Sequence, residues 1–591
     1  MTFLRSAMVL CFAALAACGA RTTPLPGASS DAIAGSGPRA GQGGSGHQLS
    51  GNPGSSSGGS GALPAGGGAG RGGARGEPGA PGCTVSVLRS VPEDHATNVA
   101  LTTGVHAELG CLEPGGALPA RLSLTLGTGG PLVFGYSTVE GPGLDFTAVG
   151  TLSLGATYTV QVLANERPLT SFQFTTVEGR WYPPERVTTL RGVEQNFAFS
   201  INTQGTGVVA YSEQDANTKF TTISTRFFDV RNGLAASSEV ALPAHQSEVR
   251  SLRVGLDALQ QTALTWVDYN AGQSSLLVAL DVGSWGAPQQ ISSPTSFTLE
   301  SLGLVISGSS QRALLWKTNP SGIAGNELLQ VSDLNQPSAV PVTVASGVST
   351  AGADLSFGTN GLFVVWDRPS VTARYRQSDG SSWDPPVALG SASEGVTRIA
   401  ASWGGNALVV FPVSIGSEQT LSARYYTPSS GWGNAERLDT QGNMGTTSVS
   451  NADVRLDAAG NGLAIWTTAA TDPVSQTDAG TSFNTNQELR SQRYSFGSGW
   501  APAHDALDVG ATSEQALALD PAGNGFVVGV TPRGEVRAVR FRAGYFQPSV
   551  LLGTVPTTTH AAQPKMLLDS QGRGAAIWQS DQDLILRRFA E

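Results

Sequence analysis

The stretch GNGLAIW (Gly460–Trp466) joins a tight-turn signal directly to an unbroken apolar run. Asparagine and glycine both tolerate the positive φ angles of a two-residue hairpin, so the pair predicts a turn between two antiparallel strands. The apolar run lacks the polar alternation of a half-exposed strand, which predicts that both of its faces are covered. Similar stretches, GNALVVF from Gly405 and GNGFVVG from Gly523, predict that this turn and strand recur along the chain.

Eight apolar runs of this kind follow one another from about residue 179 onward. Their last residues are Tyr211, Trp266, Trp316, Trp366, Phe411, Trp466, Gly529 and Trp578. Neighbouring runs lie between 45 residues (Trp366 to Phe411) and 63 residues (Trp466 to Gly529) apart, without any 3.6-residue periodicity. This spacing predicts the four-stranded blades of a β-propeller rather than helical repeats. We count eight blades over residues 178–591, with seven as the alternative because the first and third units are degenerate.

The two ends of this repeat region complement each other. The eighth unit stops after its third strand, at LILRRFAE, whereas WYPPERVTTL (Trp181–Leu190) has the pattern of a fourth strand and stands ahead of the first unit. A ring of blades removes exposed sheet edges only if its ends meet. The sequence therefore predicts that the N-terminal strand pairs with the C-terminal strand and closes the ring.

Residues 83–177 carry short alternating segments that predict the strands of a separate domain. The segments SVPEDHATNVALTTGVHAEL, LGATYTVQV and FQFTT resemble the bacterial Ig-like domains of surface-layer proteins, and the resemblance implies a β-sandwich. We expect a turn around Pro92 to Asn98 and antiparallel pairing of the strands on either side of it. That pairing would bring Cys83 and Cys111 together in a disulfide that stabilises the domain by about 3 to 4 kcal/mol. Metal binding by the two cysteines is the weaker alternative, because no histidine lies at ligand spacing.

The N-terminus predicts export and a lipid anchor. One cation, Arg5, precedes an apolar stretch that is too short for a permanent membrane span and has the layout of a signal peptide. The stretch LAAC (Leu15–Cys18) resembles the lipobox of bacterial lipoproteins, which implies removal of residues 1–17 and lipidation of Cys18. Gly19 follows, and by the same resemblance the absence of aspartate there implies the outer membrane. The alternative is an ordinary signal peptide whose cleavage site happens to precede a cysteine.

Residues 18–82 are dominated by Gly, Ser, Pro and Ala and lack apolar periodicity, so we expect a disordered tether. A Gly/Ser-rich chain of this length has an r.m.s. reach of roughly 45 Å. The predicted protein is therefore a monomer, held at the membrane by lipid, with a sandwich and a propeller lifted away from the lipid surface.

The composition and motifs contain no enzyme signature. A net charge of −10 and a pI near 5.2 argue against a nucleic-acid partner. None of the histidines lies at catalytic spacing, so no catalytic residue, metal ligand or cofactor is predicted. Asp457, Asp520 and Asp569 precede glycine-containing turns and are interpreted as turn caps. Calcium is the alternative, but each turn supplies one or two of the six to eight oxygens that this ion needs.

The third strands carry an arginine before an aromatic residue, at Arg226, Arg374, Arg424, Arg493, Arg540 and Arg588. Such arginines could bind carboxylate sugars, as in sialidases, but the SxDxGxTW box of that family is absent. We interpret the series as packing, in which guanidinium groups bridge strands or stack on neighbouring rings.

The longest connection between strands is predicted to be a polar loop from Thr467 to Glu488. Binding residues concentrate on such loops, so Asp472, Asp478, Asn484 and Asn486 are candidate binding residues, with a tolerated insertion as the alternative. The leading hypothesis is a non-enzymatic binding, adhesion or scaffolding module for a glycan or an envelope protein. A glycan-processing enzyme is the second hypothesis, and a structural spacer, whose end face would have no cleft, is the third.

Overall fold

The computed structural model describes residues 86–591 except for short gaps. The gaps are residues 111–119, 127–131, 134, 141–142, 149–151, 165–166, 191–195, 216, 219, 238, 246, 297–298, 308, 324, 349–351, 379–381, 392–395, 417, 439–445, 478–479, 504, 511–514 and 557–562. Every regular element in the described residues is a β-strand, which confirms the all-β prediction. Accordingly, none of the described segments is a helix that could cross a bilayer. The predicted signal peptide and tether, Cys18, Cys83 and Cys111 lie outside the described residues.

Nine strands in two sheets come first in the described chain. They are β1 (Ser86–Val91), β2 (Ala96–Val99), β3 (Val105–Gly110), β4 (Ala120–Leu126), β5 (Leu132–Val133), β6 (Gly135–Glu140), β7 (Gly143–Ala148), β8 (Thr157–Ala164) and β9 (Arg167–Thr176). The strand orders are β1-β3-β7-β6 and β2-β9-β8-β4-β5. Alternate side chains are buried in β3, where Val105, Ala107 and Leu109 face the interior, because successive residues of a strand point to opposite faces.

One prediction for this region is wrong. The segment from Pro92 to Asn98 is not only a turn, because β2 begins at Ala96 and pairs in parallel with β9 in the other sheet. The expected antiparallel pairing is present between β1 and β3, where Ser86 lies opposite Gly110.

Eight further sheets follow, which we call ring sheets and number in chain order. Two strands of the eighth ring sheet come first in the chain: β10 (Arg180–Trp181) and β11 (Glu185–Thr189). The first ring sheet contains β12 (Phe197–Ile201), β13 (Thr206–Gln214), β14 (Thr221–Asp229), β15 (Gly233–Leu234) and β16 (Glu239–His245). The second contains β17 (Glu248–Leu256), β18 (Thr262–Asn270), β19 (Gln273–Asp281) and β20 (Gln289–Gln290). The third contains β21 (Leu299–Ile306), β22 (Arg312–Thr318), β23 (Glu327–Asp333) and β24 (Val342–Val348). The fourth contains β25 (Ala353–Gly358), β26 (Gly361–Trp366), β27 (Val371–Gln377) and β28 (Val387–Gly390).

The remaining ring sheets repeat this order. The fifth contains β29 (Arg398–Ala401), β30 (Ala407–Ile415), β31 (Glu418–Thr427), β32 (Gly431–Trp432) and β33 (Glu436–Arg437). The sixth contains β34 (Thr446–Leu456), β35 (Gly462–Thr477), β36 (Gly480–Ser495), β37 (Gly499–Trp500) and β38 (Asp505–Ala506). The seventh contains β39 (Gln515–Leu519), β40 (Gly525–Val530), β41 (Glu535–Arg542), β42 (Tyr545–Phe546) and β43 (Val550–Thr554). The eighth contains β44 (Lys565–Leu568), β45 (Gly574–Ser580) and β46 (Asp583–Ala590) beside β10 and β11.

The apolar runs of the sequence are the second strands of these sheets. All six residues of β26 and all six of β40 are buried, as expected for strands that are covered on both faces. Trp266, Trp466 and Trp578, at the ends of three runs, are at most 2% exposed. Neighbouring sheets therefore pack face to face through these strands.

The ring sheets succeed one another in a closed series. The first strand of each sheet contacts the first strand of the next, and β44 of the eighth sheet contacts β12 of the first. The predicted closure is confirmed, because β10 and β11 both pair antiparallel with β46. Trp181 lies opposite Phe589, and the Tyr182 hydroxyl donates a hydrogen bond of 2.8 Å to the carbonyl oxygen of Glu591. This is a β-propeller-like arrangement.

The two-sheet region and the ring share one apolar cluster. Leu154 and Phe174 from the first region belong to the same cluster as Phe526 and Phe589 of the ring. The Leu154 amide also donates a hydrogen bond of 2.8 Å to the carbonyl oxygen of Gln571. The chain from Pro81 to Glu591 is accordingly one compact unit.

The predicted loop between Thr467 and Glu488 is wrong as a structural assignment. Strands β35 and β36 continue through it as a paired hairpin that reaches Thr477 opposite Gly480. The stretch contains several Thr residues and a Val, which are common in strands, so its polar composition is not by itself a loop signal.

Candidate binding cleft

A cleft of about 820 Å³ lies between the sixth and seventh ring sheets. Its lining residues come mainly from the turns between first and second strands and between third and fourth strands, which lie at the same end of an antiparallel sheet. Gly155, Ala156 and Thr157 of the two-sheet region complete the lining. The cleft is therefore assembled from five separate segments of the chain, two from each of the two ring sheets and one from the two-sheet region.

The turn at Asp457 organises the sixth-sheet side of the cleft. The Asp457 carboxylate accepts hydrogen bonds of 2.8 Å from both the backbone and the side-chain amide of Asn461. The side-chain oxygen of Asn461 in turn accepts a hydrogen bond of 2.9 Å from the Phe496 amide, which ties the first turn to the second. Both ends of the Asn461 side chain are thus engaged in holding Phe496 at the cleft.

The same capping geometry recurs in the next two sheets. Asp520 accepts hydrogen bonds from the amides of Ala522 and Asn524, and Asp569 accepts them from the amides of Gln571 and Arg573. The interpretation of these aspartates as turn caps is confirmed. In the described part of the chain, no group of three or more metal-ligating side chains is found.

The capping carboxylates differ in their charge environment. Asp569 forms a buried ion pair with Arg573, whose side chain is only 3% exposed. Asp520 has no such cation within its turn, and burial raises its pKa to about 7. Burial also raises the pKa of Asp457, although the hydrogen bonds from Asn461 oppose the shift.

Aromatic side chains form one wall of the cleft and stand at its mouth. The Tyr494 ring is stacked on Tyr425 with 4.5 Å between centroids and meets Trp500 edge-on at 5.3 Å. These contacts hold the base of the third-to-fourth-strand turn. Phe496 on that turn is 51% exposed, and Tyr545 on the matching turn of the seventh sheet is 75% exposed.

The arginine series does not occupy one structural position. Arg493, Arg540 and Arg588 share a register, since each lies opposite the second residue of β35, β40 or β45. Arg226 and Arg424 are shifted by one residue, which turns their side chains to the other face of the sheet. An arginine before an aromatic residue is therefore not a sufficient marker of equivalence.

The packing interpretation holds for two arginines outside that register. Arg226 donates a hydrogen bond of 2.6 Å to the carbonyl oxygen of Val187 in the neighbouring ring sheet. Arg374 donates one of 3.1 Å to the carbonyl oxygen of Val344, again in the neighbouring sheet. These guanidinium groups join adjacent sheets.

The three arginines of the shared register have different partners. Arg540 binds the carboxylate of Glu178 at 2.8 Å, and Arg588 binds that of Glu185. Arg493 lines the cleft, and its guanidinium lies 6.0 Å from the centroid of the Tyr545 ring. Among the described residues, no carboxylate forms an ion pair with Arg493.

The described lining of the cleft does not contain the pair of carboxyl groups that a glycosidase uses. Glycosidases use two carboxyl groups roughly 5 to 9.5 Å apart. The described lining contains one carboxylate, that of Asp457, and its oxygens are engaged by Asn461. Hydroxyl and amide groups of Ser495, Ser498 and Gln547 supply further donors and acceptors at the rim.

The candidate residues of the sequence lie elsewhere. Asp472 lies opposite Asn484, and Ala470 opposite Asn486, in the hairpin between second and third strands, at the other end of the ring from the cleft. Asp478 lies outside the described residues. The register places the backbone of Asp472, Asn484 and Asn486 away from the cleft, and a binding role for the four candidate residues stays a prediction.

The sequence patterns did not predict the cleft, because its only sequence signal is an aromatic residue in each of two short turns. The segments YSFGSGW and FRAGYF each place an aromatic residue between strands where solvent is reached, and an exposed aromatic side chain on a rigid turn is a binding signal. The apolar runs and the polar stretch from Thr467 to Glu488 are longer sequence patterns than these turns. In the sequence, the turns mark only the boundaries of strands.

Comparisons with known proteins do not assign the chain to a family. No protein-family description matches the chain, and no curated protein matches it either.

Solved structures similar to this chain include propeller proteins. A structural genomics protein of unknown function from Bacteroides thetaiotaomicron VPI-5482 is 11% identical with a TM-score of 0.36, and the match covers 87% of this chain and 99% of that one. A fucose-specific lectin from Aleuria aurantia is 16% identical with a TM-score of 0.29, covering 54% and 97%. The β-propeller domain of the Trilobed protease from Pyrococcus furiosus is 8% identical with a TM-score of 0.32, covering 62% and 96%. Similarities of this size assign neither family nor ligand to the chain.

Proposed function

We propose that this protein is a non-enzymatic binding module whose cleft between the sixth and seventh ring sheets takes a glycan. The observation that carries the proposal is the pair of exposed aromatic rings, Phe496 and Tyr545, on facing turns of a cleft with a volume typical of small-molecule sites. A cleft with clustered side chains also argues against a simple spacer.

The chemistry of the cleft matches that of a saccharide. A pyranose ring has apolar C–H faces, which lose water favourably against an aromatic ring, and a rim of hydroxyl groups that need hydrogen-bond partners. Phe496 and Tyr545 supply the rings, and Arg493, Ser498 and Gln547 supply polar groups. The rings are held on short turns, so little side-chain entropy is lost on binding.

The proposal also includes the domain architecture and the membrane anchor predicted from the N-terminal sequence. The ring sheets are eight blades of one propeller over residues 178–591, and residues 83–177 are an Ig-like sandwich that contributes Gly155 to Thr157 to the cleft. Lipid on Cys18 and the tether of residues 18–82 would present this cleft at the outer membrane.

Glycan binding is tested with the full chain purified in detergent on an array of bacterial and plant saccharides. We expect at least one saccharide class to bind, and Tyr545→Ala or Phe496→Ala to weaken binding about tenfold or more. The control is Trp403→Ala, since Trp403 is 63% exposed but does not line the cleft. Equal loss with the control variant, or no bound saccharide at all, would contradict the proposal.

The anchor is tested separately with Cys18→Ser. We expect the wild-type protein to enter the detergent-rich phase on phase separation and the variant to remain in the aqueous phase. Equal partition of the two would show that Cys18 carries no lipid.

A further inference from the structure

Arg493 differs from its structural equivalents in having its positive charge free. In the shared register, Arg540 is neutralised by Glu178 and Arg588 by Glu185. Glu178 lies in the segment between β9 and β10, and Glu185 is the first residue of β11 in the eighth ring sheet. The described residues offer Arg493 the face of the Tyr545 ring but no carboxylate.

The surroundings of Arg493 keep its guanidinium accessible to a ligand. It is part of the cleft lining, and the nearest turn residue on the other side is Gly544, with a φ of +86°. A Cβ atom on Gly544 would collide with Nη1 of Arg493, so the glycine leaves the space that the guanidinium occupies. The Tyr545 ring fixes one face of the guanidinium, and its edge stays available for hydrogen bonds.

The other charges of the cleft do not neutralise this cation. The second arginine of the lining, Arg542, is paired with Glu178. The one carboxylate of the lining, Asp457, is buried and accepts its hydrogen bonds from Asn461. Glu178 also pairs with Arg540, so one carboxylate serves two arginines and the excess charge in and beside the cleft is positive. Among the described residues, Arg493 is the arginine of the lining that forms no ion pair.

We propose that the ligand of the cleft is an acidic saccharide, whose carboxylate or sulfate group binds the guanidinium of Arg493 while its sugar ring stacks on Tyr545 or Phe496. This inference rests on the proposed function and narrows it to one substrate class. Guanidinium groups bind carboxylates and sulfate oxygens through charged N–H donors, and the equivalent arginines, Arg540 and Arg588, donate such hydrogen bonds to Glu178 and Glu185.

The test is isothermal titration of the full chain with three trisaccharide probes: trigalacturonic acid, its methyl ester, and neutral galactotriose. A κ-carrageenan tetrasaccharide, which carries sulfate groups but no carboxylate, forms a fourth arm and separates sulfate from carboxylate recognition. We expect an acidic probe to bind at least tenfold more tightly than the ester and galactotriose. Raising NaCl from 50 to 500 mM should weaken the binding of the acidic probes only, because salt screens the attraction between their charge and Arg493.

Variants assign the effect to the residue. Arg493→Gln should weaken binding of the acidic probe about ten- to hundredfold, the usual size of a charged hydrogen bond, and Arg493→Lys should weaken it less. Arg533→Gln is the control, since Arg533 is exposed on a turn at the opposite end of the ring. Unchanged thermal unfolding of each variant excludes a folding defect.

The outcomes separate the two proposals. Preferential binding of neutral galactotriose, unaffected by Arg493→Gln, would overturn the inference and leave glycan binding intact. Failure of every probe, together with an empty array, would overturn both.

Discussion

Gly523 lies against the carboxylate of Asp457 in the preceding ring sheet: a Cβ atom on Gly523 would be only 2.9 Å from Oδ2 of that residue. Gly572 has the same relationship to Asp520, at 2.6 Å, and Gly205 to Asp569, at 2.9 Å. Each turn glycine thus covers the capping aspartate of the sheet before it, and the last of these contacts passes from the eighth sheet to the first. The turns are not independent repeats but a connected series around the ring.

Replacement of Gly523 by alanine should therefore destabilise the protein beyond the effect of its backbone conformation. Gly523 has a φ of +79°, for which alanine carries a penalty of about 1 kcal/mol. Gly497→Ala is the matched control, because Gly497 has the same φ but no atom near its missing Cβ. In urea unfolding we expect Gly523→Ala to lower the free energy of unfolding by at least about 1 kcal/mol more than the control. Equal losses would mean that the contact with Asp457 contributes nothing.

Asp520 should make the stability of the protein depend on pH. Its folded pKa of about 7 exceeds the ordinary value of 3.8, because burial disfavours the charged form. Between these two pH values the folded protein holds a proton that the unfolded chain releases, so the free energy of unfolding falls as pH rises from about 4 to about 7. Above pH 7 this contribution stays at its low level.

The variant Asp520→Asn should flatten this profile and unfold at a higher temperature than wild type at pH 8. Asparagine can perform the capping, because Asn202 accepts hydrogen bonds of 3.0 Å from the amides of Gln204 and Thr206 in the equivalent turn. Asp569→Asn should instead unfold at a lower temperature than wild type. Its free energy of unfolding should fall by about 3 kcal/mol, since the variant leaves the buried Arg573 without its ion-pair partner. Thermal unfolding of both variants between pH 4 and pH 8 measures the contrast. Equal slopes for wild type and Asp520→Asn over this range would contradict the assignment to Asp520.

Closure of the ring should depend on the side chain of Trp181. Its indole lies 5.2 Å from the Phe526 ring and 5.3 Å from the Phe589 ring, while its backbone pairs with β46. Trp181→Ala should lower the free energy of unfolding by roughly 3 kcal/mol, and limited proteolysis should then cleave near the C-terminus. The exposed Trp403 provides the control, and its alanine variant should stay within about 0.5 kcal/mol of wild type.

The disulfide between Cys83 and Cys111 stays a prediction that thiol titration can decide. The paired strands β1 and β3 bring Ser86 opposite Gly110, which are the described residues nearest to the two cysteines. If the bridge forms, denatured protein contains no reactive thiol from this pair, and Cys83→Ser loses about 3 kcal/mol of stability. Two free thiols in the exported, unfolded protein would rule the bridge out.

Strand identity and ring closure could be read from the chain because both depend on local patterns. The run GLAIW predicts a covered strand from five adjacent residues, and the surplus strand at Trp181 matches a deficit after Phe589. These features repeat, and a repeated signal is readable even when single units are degenerate. The parallel pairing of β2 with β9 has no such local signal, because it joins segments that are distant in the sequence.

The cleft could not be predicted in the same way. Arg493 and Arg540 each precede an aromatic residue and have the same register, yet Glu178 forms an ion pair only with the second of them. Which arginine is neutralised depends on where the linking segment docks, and that is a property of the assembled ring. The polar composition of the hairpin through Asp472 was the stronger sequence signal and pointed to the opposite end of the ring.

Pairing between the first and last strands of the ring also has a consequence for biogenesis. The hydrogen bond from Tyr182 to Glu591 spans 409 positions in the sequence, and β46 is made of the final residues of the chain. A nascent polypeptide leaving the ribosome therefore carries β10 and β11 without their partner until β46 has been synthesised, which makes the closing step late. A chain truncated ahead of β46 would retain an open sheet edge, which distinguishes it from the closed ring.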